Sequence, residues 1–468
     1  MDAIEIDKGS TTSIQQQLYD RIRSAIVEGR IQSGERVPST RSLAAQLGIA
    51  RGTIDIAYAR LTSEGYLVAR GQRGTIVSTE LRSDVNSAET TARPMSSTGS
   101  ASDGYPLPLR MGLPALDLFP RKVWARLAAR KARELPPASL SHSYPMGLPV
   151  LREAIVAYLA VARGVICRPD QVVVTSGYQG ALNLVASLLL APNDQIWLED
   201  PGYLFAQKAF EALGMRVVPI PVDGDGLRVD DACANYPGAR LAVVTPTHQF
   251  PMGMPLSLSR RQALLAWARD CDSWVLEDDY DGEFHYSGRK PPALKSVDAM
   301  DRVFYAGSFS KTLFPSLRLG YLVLPAAFVS SAERACQMLH RGAAAFEQSV
   351  TAAFMSEGYF ARHLRRMRTY YRDRRRALVE EMERQFGKDV QISLQAGGLH
   401  ILACFPNHGP DVELANQALA HGLAPVPLSD RFLEHPARHG LLMSFTNIPE
   451  QEAADVVASL RSAIVRNP

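Results

Sequence analysis

The sequence is short of most features that would place a protein quickly. Its 468 residues include only five cysteines, Cys167, Cys233, Cys271, Cys336 and Cys404, widely spaced and odd in number. That pattern suits neither a zinc site nor a disulfide framework, so no metal is expected and reduced thiols are. Long apolar runs are missing too. The longest, ALNLVASLLLAP at 181–192, is too short to cross a bilayer and is interrupted by Asn183 and Ser187. The first residues, MDAIEIDKGS, lack the basic-then-apolar order of a secretory signal. A cytoplasmic protein with no membrane partner is the expectation. Charge of one sign is also absent: the formal net charge is +3, and the arginines of the first eighty residues are nearly matched by Asp and Glu. Any nucleic-acid reading must therefore rest on pattern rather than total charge. What remains is a globular composition, 46% hydrophobic and 21% charged. At roughly 100–200 residues per domain, the length predicts two or three domains.

Residues 11–78 read as one compact unit. Leu18, Ile22 and Ile26 recur at helical spacing. GRIQSGERVPS breaks that pattern with Gly29, Gly34 and Pro38. Ser39 then suits the N-cap of a second helix, TRSLAAQL, ending at Gly48. A third helix follows with Ile54, Tyr58 and Leu61 on one face, and YLVARGQRGTIV has two β-type runs around Gly71 and Gln72, a hairpin signal. Helix, helix, turn, helix, hairpin is the order of a winged helix-turn-helix, whose third helix enters the major groove. The same order suits a small protein-binding domain. Arginine placement favours DNA: Arg41 opens the second helix, Arg51 and Thr53 open the third, and Arg70 and Arg73 flank the hairpin tip. Helix starts and wing tips are where phosphates and base edges are met.

Residues 79–104, rich in Ser, Thr, Ala and Asp, read as a flexible linker. From 105 to 468 apolar runs such as QVVVTSG, DQIWLED, ARLAVVTPT, DSWVLEDDY and RVFYAGS alternate with helical stretches. That alternation predicts an α/β fold with a mostly parallel sheet covered on both faces. Beyond about residue 335, long arginine-rich helices and later strands predict a smaller α+β lobe. The cluster Arg365–Arg376 alternates with apolar residues and Glu, which reads as a solvated helix face.

Chemistry gathers at predicted strand ends. GSFSKTLFPSLRLGY sets Lys311 in an apolar run, the setting that lowers an amine's pKa and makes it a nucleophile. DSWVLEDDY ends on Asp278, Asp279 and Tyr280, where ligands of open α/β sheets bind. A carboxylate there suits a pyridinium nitrogen, and a phenol a ring hydroxyl, as pyridoxal phosphate requires. TSGYQGAL is a strand, glycine turn and helix start whose free amides suit a phosphate. Ser308 and Arg318 flank the lysine and suit the same phosphate, while Tyr203 in EDPGYLF is placed to stack on a planar ring.

These residues carry a resemblance. Residues 105–468 resemble the fold-type I aminotransferases, with Ser308, Ser310, Lys311, Pro315, Arg318 and Gly320 matching the motif S-x-S-K-x-x-x-P-x-x-R-x-G. The resemblance implies pyridoxal 5'-phosphate joined to Lys311 as an internal aldimine. It also implies Asp278 on the pyridine nitrogen, Tyr280 on the ring oxygen and Tyr203 stacked. Ser176, Gly177, Tyr178, Gln179, Ser308 and Arg318 would hold the phosphate, with Ser310 also among the cofactor-binding residues. SYPMGLPVLREAI implies that Tyr144 reaches the phosphate held by the other subunit. Residues 11–78 resemble the GntR-type winged helix, and the two halves together resemble the MocR/GabR subfamily of bacterial transcription regulators. That implies a homodimer, head-to-tail with exchanged domains, reading repeated half-sites in double-stranded DNA and sensing a small amino compound or the cofactor itself. Two departures from the aminotransferase pattern stand out. HQFPMG has Phe250 where Asn is usual, leaving His248 or Gln249 to replace a ring-oxygen contact. LLMSF has Leu442 where a carboxylate-binding Arg is usual, and Arg431 is the nearest substitute for an effector carboxylate. A regulator is therefore expected over a working aminotransferase with an autoregulatory DNA-binding domain.

Overall fold

The computed structural model of the chain describes residues 6–7, 12–71, 74–79, 106–134, 144–339, 342, 344–435 and 437–465. Arg73 and the expected linker beyond residue 79 lie outside them. The chain divides into two units, Met1–Ser102 and Asp103–Pro468.

In the first unit, helices α1 (Ile14–Val27), α2 (Thr40–Leu47) and α3 (Arg51–Ser63) precede the strands β1 (Leu67–Ala69) and β2 (Thr75–Val77). The strands pair antiparallel, Leu67 opposite Val77. The helices form where the sequence pattern places them. Leu18, Ile22, Ile26, Leu43, Ile54, Tyr58 and Leu61 make one buried cluster. Ser39 Oγ accepts the Ser42 amide at 3.1 Å, satisfying a donor at the open end of α2. Gly48 closes that helix at φ 60°, the left-handed conformation glycine adopts without steric cost.

The second unit is built on an eight-stranded sheet. Its strands are β3 (Val172–Thr175), β4 (Gln195–Asp200), β5 (Arg216–Asp223), β6 (Gly226–Leu227), β7 (Leu241–Val244), β8 (Trp274–Asp279), β9 (Val303–Ser308) and β10 (Gly320–Val323). The order is β3-β10-β9-β8-β7-β4-β5-β6. From β9 through β8, β7 and β4 to β5 the pairs are parallel, while β10 runs antiparallel to both β9 and β3. Both faces are covered, as the apolar strands predict: in β3, Val172 and Val174 enter one core cluster and Val173 another.

A second lobe follows. Strands β11 (Gln391–Ser393), β12 (His400–Cys404), β13 (Val426–Pro427) and β14 (Leu441–Ser444) form an antiparallel sheet, order β11-β12-β14-β13. Ahead of this sheet the second unit forms α4 (Arg121–Glu134), α5 (Pro149–Ala162), α6 (Tyr178–Leu189), α7 (Leu204–Ala212), α8 (Val229–Asn235), α9 (Leu258–Asp270), α10 (Val329–Leu339) and α11 (Ala345–Ser356). The small sheet is accompanied by α12 (Tyr359–Phe386), α13 (Asp411–Ala420) and α14 (Ala453–Ile464). The arginine cluster on α12 is not uniformly solvated as expected. Arg374 is 4% exposed, paired with Asp117 at 2.5 Å and donating to Thr446 O. Arg375 donates to Gln395 O at 2.7 Å and lies over the Tyr286 ring. Helical periodicity turns those positions inward, where a buried guanidinium persists only if paired.

Candidate functional site

The parallel strands β4, β7, β8 and β9 deliver their C-terminal ends to one rim of the large sheet. Because β10 runs the other way, its first residue, Gly320, lies between Thr175 and Ser308 at that same rim. Arg318, just ahead of it, is thereby returned to the ends of β3 and β9. The rim opens into a cleft of about 450 Å³, within the range of small-molecule sites. Residues far apart in sequence line it: Ser176, Gly177, Tyr178 and Gln179 after β3, Tyr203 after β4, Phe250 after β7, Asp278 and Tyr280 from β8, and Ser308, Ser310, Lys311 and Arg318 around β9.

Lys311 Nζ donates to Gly112 O at 2.6 Å. The amine is itself buried, so desolvation pulls its pKa below the ordinary value, opposed by the Asp278 and Asp281 carboxylates. Asp278 is buried, and its carboxyl is pushed well above the usual range by desolvation and then by Asp279. Such a group gains most from a cationic partner. Strand alternation separates the two neighbours: Asp278 lines the cleft, whereas Asp279 is buried against Arg163 at 2.5 Å and Tyr305 Oη at 2.5 Å. Alternation also returns Tyr280 to the cleft. Its hydroxyl is buried and has no hydrogen-bond partner among the described residues. Burial, Asp281 and Asp278 raise that phenol well above its ordinary pKa, so it stays a donor.

After β3 the helix α6 (Tyr178–Leu189) starts at Gly177, and no side chain caps it. Its free amides face the same cleft as Arg318, Ser308 and Ser310, a combination built for a phosphate. Arg318 adopts φ 52°, ψ 32°, a left-handed conformation uncommon outside glycine. Tyr203 lies edge-on to Phe250 with ring centroids 6.1 Å apart, and Phe250 is in turn edge-on to Tyr280 at 5.9 Å. An orphaned phenol, a carboxylate in need of a cation, an uncapped helix start beside an arginine and a lowered-pKa lysine together fit pyridoxal phosphate.

Two expected residues are not brought into the cleft. His248 Nδ1 lies 2.8 Å from Asp281 Oδ1, and its ring stacks on His285 at 5.9 Å. Gln249 is consumed by Glu199, Pro201 O and Phe250 O. Neither lines the cleft to replace the missing Asn contact, because the turn after β7 points both into the protein while Phe250 faces out. Tyr144 is 54% exposed and lies outside the wall of its own chain's cleft. Arg431 does line it, and its Nε is buried without a hydrogen-bond partner among the described residues. The remaining wall comprises Met111, Gly112, Phe205, Leu399, His400, Val426 and Leu442. Of these only Leu442 stood out in the sequence. The others carry no motif, and distant segments meet only in the fold.

In the first unit Arg41, Arg51 and Arg70 are exposed and Thr53 is partly buried. Arg51 forms a loose surface pair with Asp55 at 3.5 Å.

Comparison with known proteins assigns the two parts separately. The family of bacterial regulatory proteins, gntR type, matches residues 14–77, and aminotransferase class I and II matches residues 120–424. A probable rhizopine catabolism regulatory protein, MocR, of Rhizobium meliloti is 35% identical, covering 98% of this chain and 95% of that one. The pyridoxine biosynthesis transcriptional regulator PdxR of Corynebacterium glutamicum is 32% identical, covering 98% of each. Among solved structures, a kynurenine aminotransferase of Pyrococcus horikoshii is similar with TM-score 0.70 and 26% identity, covering 82% of this chain and 98% of that one.

Proposed function

The chain belongs to the MocR/GabR subfamily of GntR-type regulators, in which a DNA-binding winged helix is joined to an aminotransferase-like domain that takes pyridoxal 5'-phosphate; from that premise we propose that this protein senses an amino compound, or the cofactor itself, at Lys311 and alters promoter binding in response. The observation that carries the reading is the meeting of Lys311, Asp278, Tyr280 and Arg318 in one cleft.

When bound, the cofactor supplies an aldehyde carbon that can be joined to one primary amine at a time, and an electron-withdrawing ring. The chain's residues supply the rest. Asp278 keeps the ring nitrogen protonated, Tyr280 donates to the ring oxygen, and Tyr203 covers the ring. The α6 start, Ser308, Ser310 and Arg318 hold the phosphate, and the partner subunit would add Tyr144. Lys311, with its lowered pKa, would anchor the cofactor, and Gly112 O accepts a hydrogen bond from the free amine. Arg431 presents a guanidinium to an effector carboxylate. The switch follows if the effector binds one arrangement of the large unit more tightly than another.

The direct test is spectroscopic. The purified protein with added pyridoxal 5'-phosphate is expected to be yellow, with a visible band that borohydride abolishes. A colourless protein, or a Lys311→Ala variant that retains the band, overturns the reading.

A further inference from the structure

Arg431 belongs to the loop joining β13 to β14, and two buried carboxylates hold that loop. Asp411, opening α13, accepts from Ser429 N at 2.9 Å and Ser429 Oγ at 2.6 Å at one end of it. At the other end it accepts from Gly440 N at 3.0 Å and His439 Nδ1 at 3.1 Å. Asp411 thus closes the base of the loop within the small lobe.

Asp200 makes a different connection. It is the last residue of β4, in the large sheet, and its side chain has no solvent exposure. Its carboxylate accepts from Leu433 N at 2.8 Å, Glu434 N at 3.2 Å, His435 N at 3.0 Å and His435 Nδ1 at 2.6 Å. All four donors come from the small lobe's loop. Two residues after Asp200, Gly202 N donates to Arg431 O at 3.2 Å. The end of β4 therefore grips the loop at Arg431 itself and at 433–435, and Tyr203, on the cleft wall, follows directly.

We infer that Asp200 is the positioning residue of the effector site: it ties the Arg431 loop to the large sheet, so that carboxylate recognition depends on this bond set. Charge-assisted bonds to a buried carboxylate are strong, and the amides of 433–435 have no other backbone partner among the described residues. Losing the carboxylate's charge loosens 433–435 and leaves, of this bond set, only Gly202 N on Arg431 O to tie the loop to the large sheet. The inference rests on the reading of Arg431 as a carboxylate receptor, and its test separates the two.

The probes are amino acids paired with the amines that lack only the carboxylate: leucine with 3-methylbutylamine, β-alanine with ethylamine, and 5-aminopentanoate with butylamine. Each is titrated against the cofactor-loaded protein by its effect on the visible band. The pair that discriminates most strongly in the wild type is carried forward. Asp200→Asn is expected to weaken the amino acid by about tenfold or more while leaving the paired amine within about twofold. Arg431→Gln should do the same, and His435→Ala should lose part of the preference. Hydrogen exchange at 433–435 should quicken in Asp200→Asn. If wild type binds every acid and amine alike, the reading of Arg431 fails and the inference with it. If wild type discriminates and Arg431→Gln does not, but Asp200→Asn discriminates like wild type or loses both ligands equally, the inference alone is overturned. Should Asp200→Asn fail to hold the cofactor, His435→Ala decides by the same ratio.

Discussion

At the scale of single residues, chemistry here is set by which way a side chain faces. Asp278 and Asp279 are neighbours of identical chemistry, yet one lines the cleft and the other is buried against Arg163. Period-two alternation accounts for that division, but in the sequence only the aminotransferase resemblance singles out Asp278. His248 faces inward, its ring carried away from the cleft to Asp281 by the turn after β7. Glu199 also escaped the sequence reading. It is buried near the end of β4, accepting from Thr245 Oγ1 at 2.5 Å and Gln249 Nε2 at 3.3 Å, and desolvation pushes its carboxyl up to about 7. Unfolded, it titrates near the ordinary 4.5. Between those values the folded state holds a proton that the unfolded state lacks, so this group's contribution to stability falls as pH rises through the window. Glu199→Gln should therefore raise the melting temperature relative to wild type more at pH 8 than at pH 5. A pH-independent difference would refute the assignment.

At the scale of elements, function sits where elements begin and end. Gly320 opens β10 between β3 and β9, and a Cβ there would come within 3.0 Å of Gly177 Cα and Gly307 O. Backbone lies on both sides, so Gly320→Ala should part the phosphate turn from Ser308 and weaken cofactor affinity about tenfold or more, measured by titrating the visible band. In the first unit, Ser39→Ala removes the α2 cap and should cost about 1 kcal/mol of that unit's stability, measured by denaturant unfolding. Arg41 and Arg51 stand exposed at the first turns of α2 and α3. Replacing both with Ala should abolish the mobility shift of the chain's own upstream DNA. If they meet phosphates, the salt slope of log K should shrink by about 0.9 per lost contact. Undiminished binding would remove these helices from the DNA interface.

At the scale of the whole molecule, the proposal couples two units that fold around separate cores. Coupling between binding sites is reciprocal. If an effector changes DNA affinity by some factor, the DNA must change effector affinity by the same factor. Titrating the cofactor band with and without operator DNA checks this, and a one-sided effect would contradict an equilibrium switch. The aminotransferase alternative is supported by the retained Lys311, Asp278, Tyr280 and Arg318, whereas Phe250 and Leu442 at the cleft oppose it. Supplying an amino donor with a keto acid distinguishes the two: a sensor should change its spectrum with little multiple turnover, while an enzyme should cycle rapidly.

The sequence by itself determined what depends on local order. The helix periods, the Ser39 cap, the Gly48 stop, the strand–turn–helix at Ser176 and the Lys311 motif are each written within one short stretch of chain, because capping, periodicity and turn chemistry act over that range. Only the tertiary structure decided what depends on distance. It aligned four strand ends at one rim, returned Arg318 to them through an antiparallel β10, turned Arg374 inward and His248 away, and bound Asp200 to a loop more than two hundred residues further on. No local pattern records such pairings, because they follow from the crossing of the sheet and the packing of one lobe against the other.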